Sequence, residues 1–156
     1  MRLVFGHDKL IAQWVANRIP YVPSRAGVFD PCVATGVADG SEMLAGVVYH
    51  DYFPDYQTMS ISLAAASPRW CTRGVVIGLL AYPFEQMGVN VLWHAVQRQN
   101  QRMIRLAKGL GFVREGGLKD RFGPGLSAEI YRMQPKEYYR LKERFTAKSA
   151  TEAEAA

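Results

Sequence analysis

Cysteine, acidic residues and long apolar runs are all scarce in this chain. Two cysteines, Cys32 and Cys71, stand in 156 residues. They make no metal or redox spacing, and with no export signal in the sequence both read as reduced thiols. No apolar run reaches the roughly 18 residues that span a bilayer. Met1-Arg2-Leu3-Val4-Phe5 runs into Gly6-His7-Asp8-Lys9 before a signal-peptide core can form. The expectation is a cytoplasmic protein with no membrane partner. His7, His50 and His94 are not spaced as a metal set on one element, and no metal is expected. H-E-x-x-H, G-x-S-x-G and a phosphate loop ending in GKS or GKT are missing, which sets aside zincin, α/β-hydrolase and P-loop chemistry.

The shortage of acid has a positive counterpart. Lys and Arg number 19 against 14 Asp and Glu, a net charge of +5 that suits an anionic ligand or a nucleic acid. Arg69, Arg73, Arg98, Arg102, Arg105, Lys108, Arg114, Lys119 and Arg121 follow one another through the middle of the chain. They read as a phosphate-binding surface or as a solvated face. With 49% hydrophobic and 21% charged residues the chain is globular. Its length suits one domain, placed at 1–145, with the Ala/Glu-rich stretch 146–156 as a frayed or disordered tail.

Alternation and punctuation give the elements. Met1 to Phe5 reads as a strand, and Asp8 as the cap of a helix carrying Leu10, Ile11, Trp14, Val15 and Ile19 at helical spacing. Val28 to Ala38, Met43 to Tyr52 and Gln57 to Ala66 read as strands, with hairpin turns at Asp39-Gly40 and Phe53-Pro54-Asp55. A second helical stretch, from Gly74 to Met87, is kinked by Pro83, and Val91 to Val96 is the fifth strand. Asn100 caps a helix that Gly109 and Gly111 end. Phe112 to Gly116 and Ala128 to Met133 form an antiparallel pair, and Pro135 opens a last helix with Tyr138, Leu141 and Phe145 on one face.

The most informative stretch is Ser60 to Phe112. A strand runs into Arg73-Gly74-Val75-Val76-Ile77-Gly78, a basic, glycine-bearing loop that opens a helix. The free N–H groups and positive dipole end of a first helical turn favour a phosphate. The stretch Ala64-Ala65-Ala66 ahead of it leaves room beside the strand.

This arrangement resembles the acyl-CoA site of the GNAT family of N-acetyltransferases. Arg73 and Gly78 fill the outer positions of that family's R/Q-x-x-G-x-G/A loop, and Val76 stands where its central glycine is expected. Asn100, Leu110-Gly111-Phe112 and Glu115-Gly116 match the order of the family's downstream motifs. Tyr82-Pro83-Phe84-Glu85-Gln86-Met87-Gly88 looks like a small phage- and prophage-associated branch, which would place the chain in a host cytoplasm. The resemblance covers about Leu44 to Arg140. It implies an α/β fold: a mixed, mostly antiparallel central sheet of six to seven strands, flanked by about four helices and splayed between the fourth and fifth strands.

The resemblance also implies an acetyl-CoA cosubstrate, held by Leu63, Ala64 and Ala65 on the fourth strand, by Arg69, Arg73, Gly74, Val75, Val76 and Gly78 in and before the loop, and by Asn100 and Met103. The implied reaction is acetyl transfer to a primary amine by direct attack in a ternary complex. The amine belongs to a small molecule, a protein or a nucleic acid. A CoA-binding relative without turnover and a basic nucleic-acid- or ribosome-associated protein are the other readings, and a homodimer is left open. The family's general acids fall on Ala107 and Met103, and Gln57 to Arg69 holds no carboxylate. His94, Asp51 and Tyr131 remain as candidate acid–base residues, His94 for its ordinary pKa near neutrality. Catalysis by positioning alone, with the amine's proton lost to water, is the alternative. Cys71 reads either as a thiol nucleophile or as a small turn residue.

Overall fold

The computed structural model describes residues 1–154, leaving aside the side chains of residues 149 and 152–154. The chain divides into two compact units, residues 1–88 and residues 89–156, where the sequence suggests one domain over 1–145.

The first unit holds strands β1 (Arg2–Val4), β2 (Cys32–Asp39), β3 (Glu42–Phe53) and β4 (Thr58–Ala65), with helices α1 (Asp8–Ala16) and α2 (Arg73–Ala81). The strands pair in chain order, each antiparallel to the next. Gly46 of β3 lets α1 lie against the sheet, since a Cβ there would meet Val15 Cγ2 at 2.7 Å. Ile11, Ala12, Val15 and Ala16 of α1 bury with Ala34, Val48 and Ala64, and Trp14 packs against this cluster. Asp8 does not cap α1 as expected. His7 holds the cap position, and the Asp8 carboxylate accepts the Ala34 N–H of β2 at 2.8 Å.

Pro83 explains how α2 ends. It has no N–H to give the carbonyl four residues back, at Leu79. The Tyr49 hydroxyl donates to that carbonyl instead, at 2.8 Å, from a fully enclosed position on β3. The chain continues as a π turn over Tyr82–Gln86, where the Met87 N–H reaches the Tyr82 carbonyl at 3.0 Å. The expected helix from Gly74 to Met87 is thus two segments, and the proline sets the break.

The second unit holds β5 (Val91–Gln97), α3 (Gln101–Leu110), β6 (Val113–Leu118), β7 (Ala128–Met133) and α4 (Pro135–Glu154). The last strand, β7, lies between β5 and β6 and is antiparallel to both. Leu92, His94 and Val96 alternate inward on β5, as Glu129, Tyr131 and Met133 do on β7. Asn100 caps α3, accepting the Met103 N–H at 3.1 Å, and Gly111 closes it at φ +93°. Tyr138 and Leu141 of α4 are buried, and Arg144 Nη2 donates to the Gly109 carbonyl at 2.8 Å. The last helix reaches Glu154, through the stretch read from sequence as a tail; Ala155 and Ala156 of that stretch lie outside the described residues. Seven strands, mostly antiparallel, and four helices match the α/β class expected from the sequence.

Candidate active site

The loop read from the sequence as an anion site lies where β4 hands over to α2. Ser67 caps a single 3-10 turn over Pro68–Trp70, accepting the Arg69 N–H at 3.3 Å, and buried Trp70 anchors that turn. Thr72 then caps α2. Its hydroxyl oxygen accepts the Val75 N–H at 3.4 Å and its carbonyl accepts the Val76 N–H at 2.9 Å. The Gly74 N–H lies in the first turn, ahead of the helical carbonyls that pair with later N–H groups. A Cβ at Gly74 would meet nothing within 4 Å, so the approach to this turn is open. Val76 is buried, with its N–H spent inside the helix. Gly78 serves packing: a Cβ there would come within 2.9 Å of Leu3 Cδ1 of β1.

Arg69 is tied to the β2–β3 hairpin, donating to Glu42 at 2.8 Å and to Asp39 at 3.3 Å. Leu63, Ala64 and Ala65 stand opposite Val47, Gly46 and Ala45 of β3. Cys71 is exposed in the handover, yet desolvation of its sulfur raises the thiol pKa, so the residue is not an activated nucleophile.

Asp51, one of the three sequence candidates, sits at the end of β3 with φ +48°. Its carboxylate lies 2.8 Å from Nδ1 of His50, and His50 Nε2 lies 2.9 Å from the Ser62 hydroxyl oxygen on β4. An ionised carboxylate only accepts, so Nδ1 carries the hydrogen and Nε2 accepts the Ser62 O–H. The result is an Asp–His–Ser chain with each group bonded to the next, the order in which such chains activate a hydroxyl. The imidazole is 15% exposed and the carboxylate 61%. Burial lowers the His50 pKa, and the hydrogen bond and charge of Asp51 oppose that shift. Sequence reasoning misses His50 and Ser62. The hairpin register carries the signal: His50 faces Ser60, and Ser62 is two residues further along the same face of β4.

The other two candidates meet in the second unit. His94 and Tyr131 are opposite one another on β5 and β7, with rings stacked 5.7 Å apart, and Phe112 presents its edge to His94 at 5.1 Å. Both are buried, His94 at 6% exposure and Tyr131 at 1%. Burial alone pushes the His94 pKa down to about 4. Among the described residues its Nε2 has no hydrogen-bond partner. Met103 is half-buried behind the Asn100 cap.

The charge is unevenly shared. Residues 1–88 carry six Lys and Arg against seven Asp and Glu, a net −1, while residues 89–156 carry thirteen against seven, a net +6. Part of the second unit's charge is paired: Glu129 accepts from Arg98 Nε at 2.8 Å and from Arg114 Nε, and Arg132 bonds Glu115 at 2.6 Å. Among the described residues no group of three or more His, Cys, Asp or Glu is placed to hold a metal, and no helix is long and apolar enough to cross a membrane.

No protein-family model matches the sequence, and no curated protein matches it. Solved structures do match. A T. thermophilus protein named as a presumed acetyltransferase is 18% identical, with a TM-score of 0.69 over 94% of this chain and 92% of its own. A variant of the spermidine N-acetyltransferase SpeG from Vibrio cholerae is 15% identical, with a TM-score of 0.69 over 88% of this chain and 97% of its own. A second SpeG structure, a chimera with hSSAT, is 16% identical at a TM-score of 0.71 over 90% and 99%. The fold of this chain is the fold of these acetyltransferases.

Proposed function

We propose that the chain is an acetyl-CoA-dependent N-acetyltransferase that acetylates a primary amine by direct attack in a ternary complex. The observation that carries this reading is the handover from β4 to α2: an open first helical turn, begun by Arg73 and Gly74, directly after a strand of small residues. The turn's N–H groups and dipole favour the pyrophosphate. The small side chains of Ala64 and Ala65 leave the pantetheine arm room along β4. A backbone N–H near Leu63 to Ala65 polarises the thioester carbonyl. In this reading Val76 contributes apolar packing under the loop, and Arg73 supplies the charge-assisted bonds. Arg69, tied to Asp39 and Glu42, keeps the handover in place.

The neighbours supply an order in which to try acceptors. The SpeG structures belong to an enzyme named for spermidine, so polyamines come first in a panel of amines, ahead of peptide and nucleic-acid-borne amines. The Tyr82 to Gly88 pattern supports the phage-associated branch by sequence alone, and the burial of Pro83 and Phe84 explains it as packing. The charge of the second unit favours a second reading, an anionic partner such as RNA, whose binding falls steeply with salt.

Acetyl-CoA well above its Kd raises the melting temperature by mass action on the folded state. Arg73→Ala weakens that binding by about 1.5–3 kcal/mol, the range for hydrogen bonds to charged groups. No thermal shift with acetyl-CoA, CoA or longer acyl-CoAs removes the acetyl-transfer reading, and consumption of thioester with one of the amines establishes turnover.

A further inference from the structure

We propose that Ser62, His50 and Asp51 form the proton relay of the transfer reaction, with the Ser62 hydroxyl against the acceptor amine and His50 as the terminal proton acceptor. The proposal rests on the acetyl-transfer reading and adds to it the base that the sequence does not reveal.

Three observations converge. The bonds form a continuous chain, 2.8 Å from Asp51 to Nδ1 and 2.9 Å from Nε2 to Ser62. Ser62 immediately precedes Leu63 to Ala65, the backbone proposed for the thioester, so its hydroxyl is carried on the strand residue next to that site. The imidazole is bonded at both nitrogens and lies against the Phe29 ring at 5.0 Å, on a strand position paired with Cys32 of β2 and Ser60 of β4. A group held this way needs little reorganisation when the proton moves.

The surroundings keep the relay in the state it needs. Burial lowers the His50 pKa, so the ring is neutral and Nε2 is an acceptor at neutral pH. The charged and titratable groups near it are Asp51, the Cys32 thiol and, through that thiol, Asp30 and Asp8. Cys32 is pushed up to about 11 by its burial and by those two carboxylates, so it stays neutral. Asp51 thus supplies the charge that stabilises an imidazolium when one forms.

The step balances without a cofactor beyond acetyl-CoA. The amine lone pair forms the new C–N bond, the C–S bond breaks, and its electron pair leaves with the CoA thiolate. The amine's proton passes to Ser62 Oγ as the Ser62 proton passes to His50 Nε2. The imidazolium then gives a proton to the thiolate or to solvent.

The test uses the full chain, acetyl-CoA, and spermidine and glycinamide as probe amines, with thiol release as the readout and thermal shift to follow acetyl-CoA binding. His50→Gln and Ser62→Ala lower the rate on the order of 100-fold or more, the scale of general base catalysis, with acetyl-CoA binding retained, while Ser62→Thr keeps most of the rate. The ratio of wild-type to His50→Gln rate, in which the amine's own protonation cancels, falls as the pH drops through the His50 pKa, which burial sets below the ordinary histidine value. Asp51→Asn moves that fall to lower pH, because the charge that holds the proton on His50 is gone. Nitrogen NMR of the resting protein finds the hydrogen on Nδ1. The proposal is overturned by a His50→Gln rate within about threefold of wild type, by a flat ratio, or by a resting ring protonated at Nε2. A wild-type chain that binds acetyl-CoA but consumes none with either amine also overturns it, leaving cofactor binding intact. Absence of any acetyl-CoA binding is a separate signal and overturns the parent reading.

Discussion

His50 and His94 are both strand histidines, and the clearest local difference between them is the carboxylate of Asp51 beside His50. The two units treat them in opposite ways. In the first unit His50 lies near the end of β3, bonded through both ring nitrogens and followed by a carboxylate that is itself in solvent. In the second, His94 is at the centre of β5 between Tyr131 and Phe112, with Nε2 unsatisfied among the described residues. Both rings are held neutral by burial, but only His50 has a counter-charge that stabilises an accepted proton. A base needs an accessible site and a stabilised conjugate acid, and burial alone gives neither. The difference favours His50 over His94 as the base of the proposed reaction.

The largest effect that tests this contrast is the acid sensitivity of the fold. The unfolded chain takes up a proton at His94 near pH 6.5, while the folded chain does so only near 4. Between those values the unfolded state holds more protons, so stability falls as pH falls. From pH 6.5 to 5 the loss assigned to His94 is about 2 kcal/mol, at 1.36 kcal/mol per pH unit. Urea unfolding of His94→Phe, which keeps an aromatic ring and removes the titration, shows a correspondingly flatter profile. If the variant keeps the wild-type slope, His94 does not have the buried, unpaired character assigned to it.

A smaller change is expected at the other ring. His50→Gln removes two hydrogen bonds near the surface and lowers stability by about 1 kcal/mol at neutral pH. A loss as large as that of a core truncation, roughly 3 kcal/mol or more, would make His50 a structural residue like His94. The smallest effect is a shift of titration. Asp51→Asn lowers the His50 pKa, read from imidazole chemical shifts, and leaves His94 unmoved, since Asp51 acts on His50 whereas burial alone sets the His94 value. An unchanged His50 titration would show that Asp51 does not hold its proton.

The strand and helix pattern, the α3 cap and the turn at the head of α2 were legible in the sequence because each depends on neighbours a few residues apart. Asn100 caps α3, Gly111 ends it, and Arg73-Gly74 opens α2 for reasons of local geometry, whereas the Thr72 cap goes unread. Alternation likewise marks β3, β4, β5 and β7. Other features depend on partners distant in sequence. Asp8 is a good capping residue that instead bonds Ala34, 26 residues away. The carbonyl that Pro83 leaves unmatched is taken by Tyr49. Gly46 is a gap for Val15, and Gly78, matched by sequence to a phosphate loop, is a gap for Leu3. The relay is of the same kind. His50 and Asp51 are adjacent in the chain, but their meaning depends on Ser62, which the β3–β4 register brings to Nε2. Sequence by itself determined which segments form strands and helices, since backbone conformation and capping are local. Tertiary structure decided which polar side chains have partners, because burial and hydrogen bonding are settled only when distant strands pair.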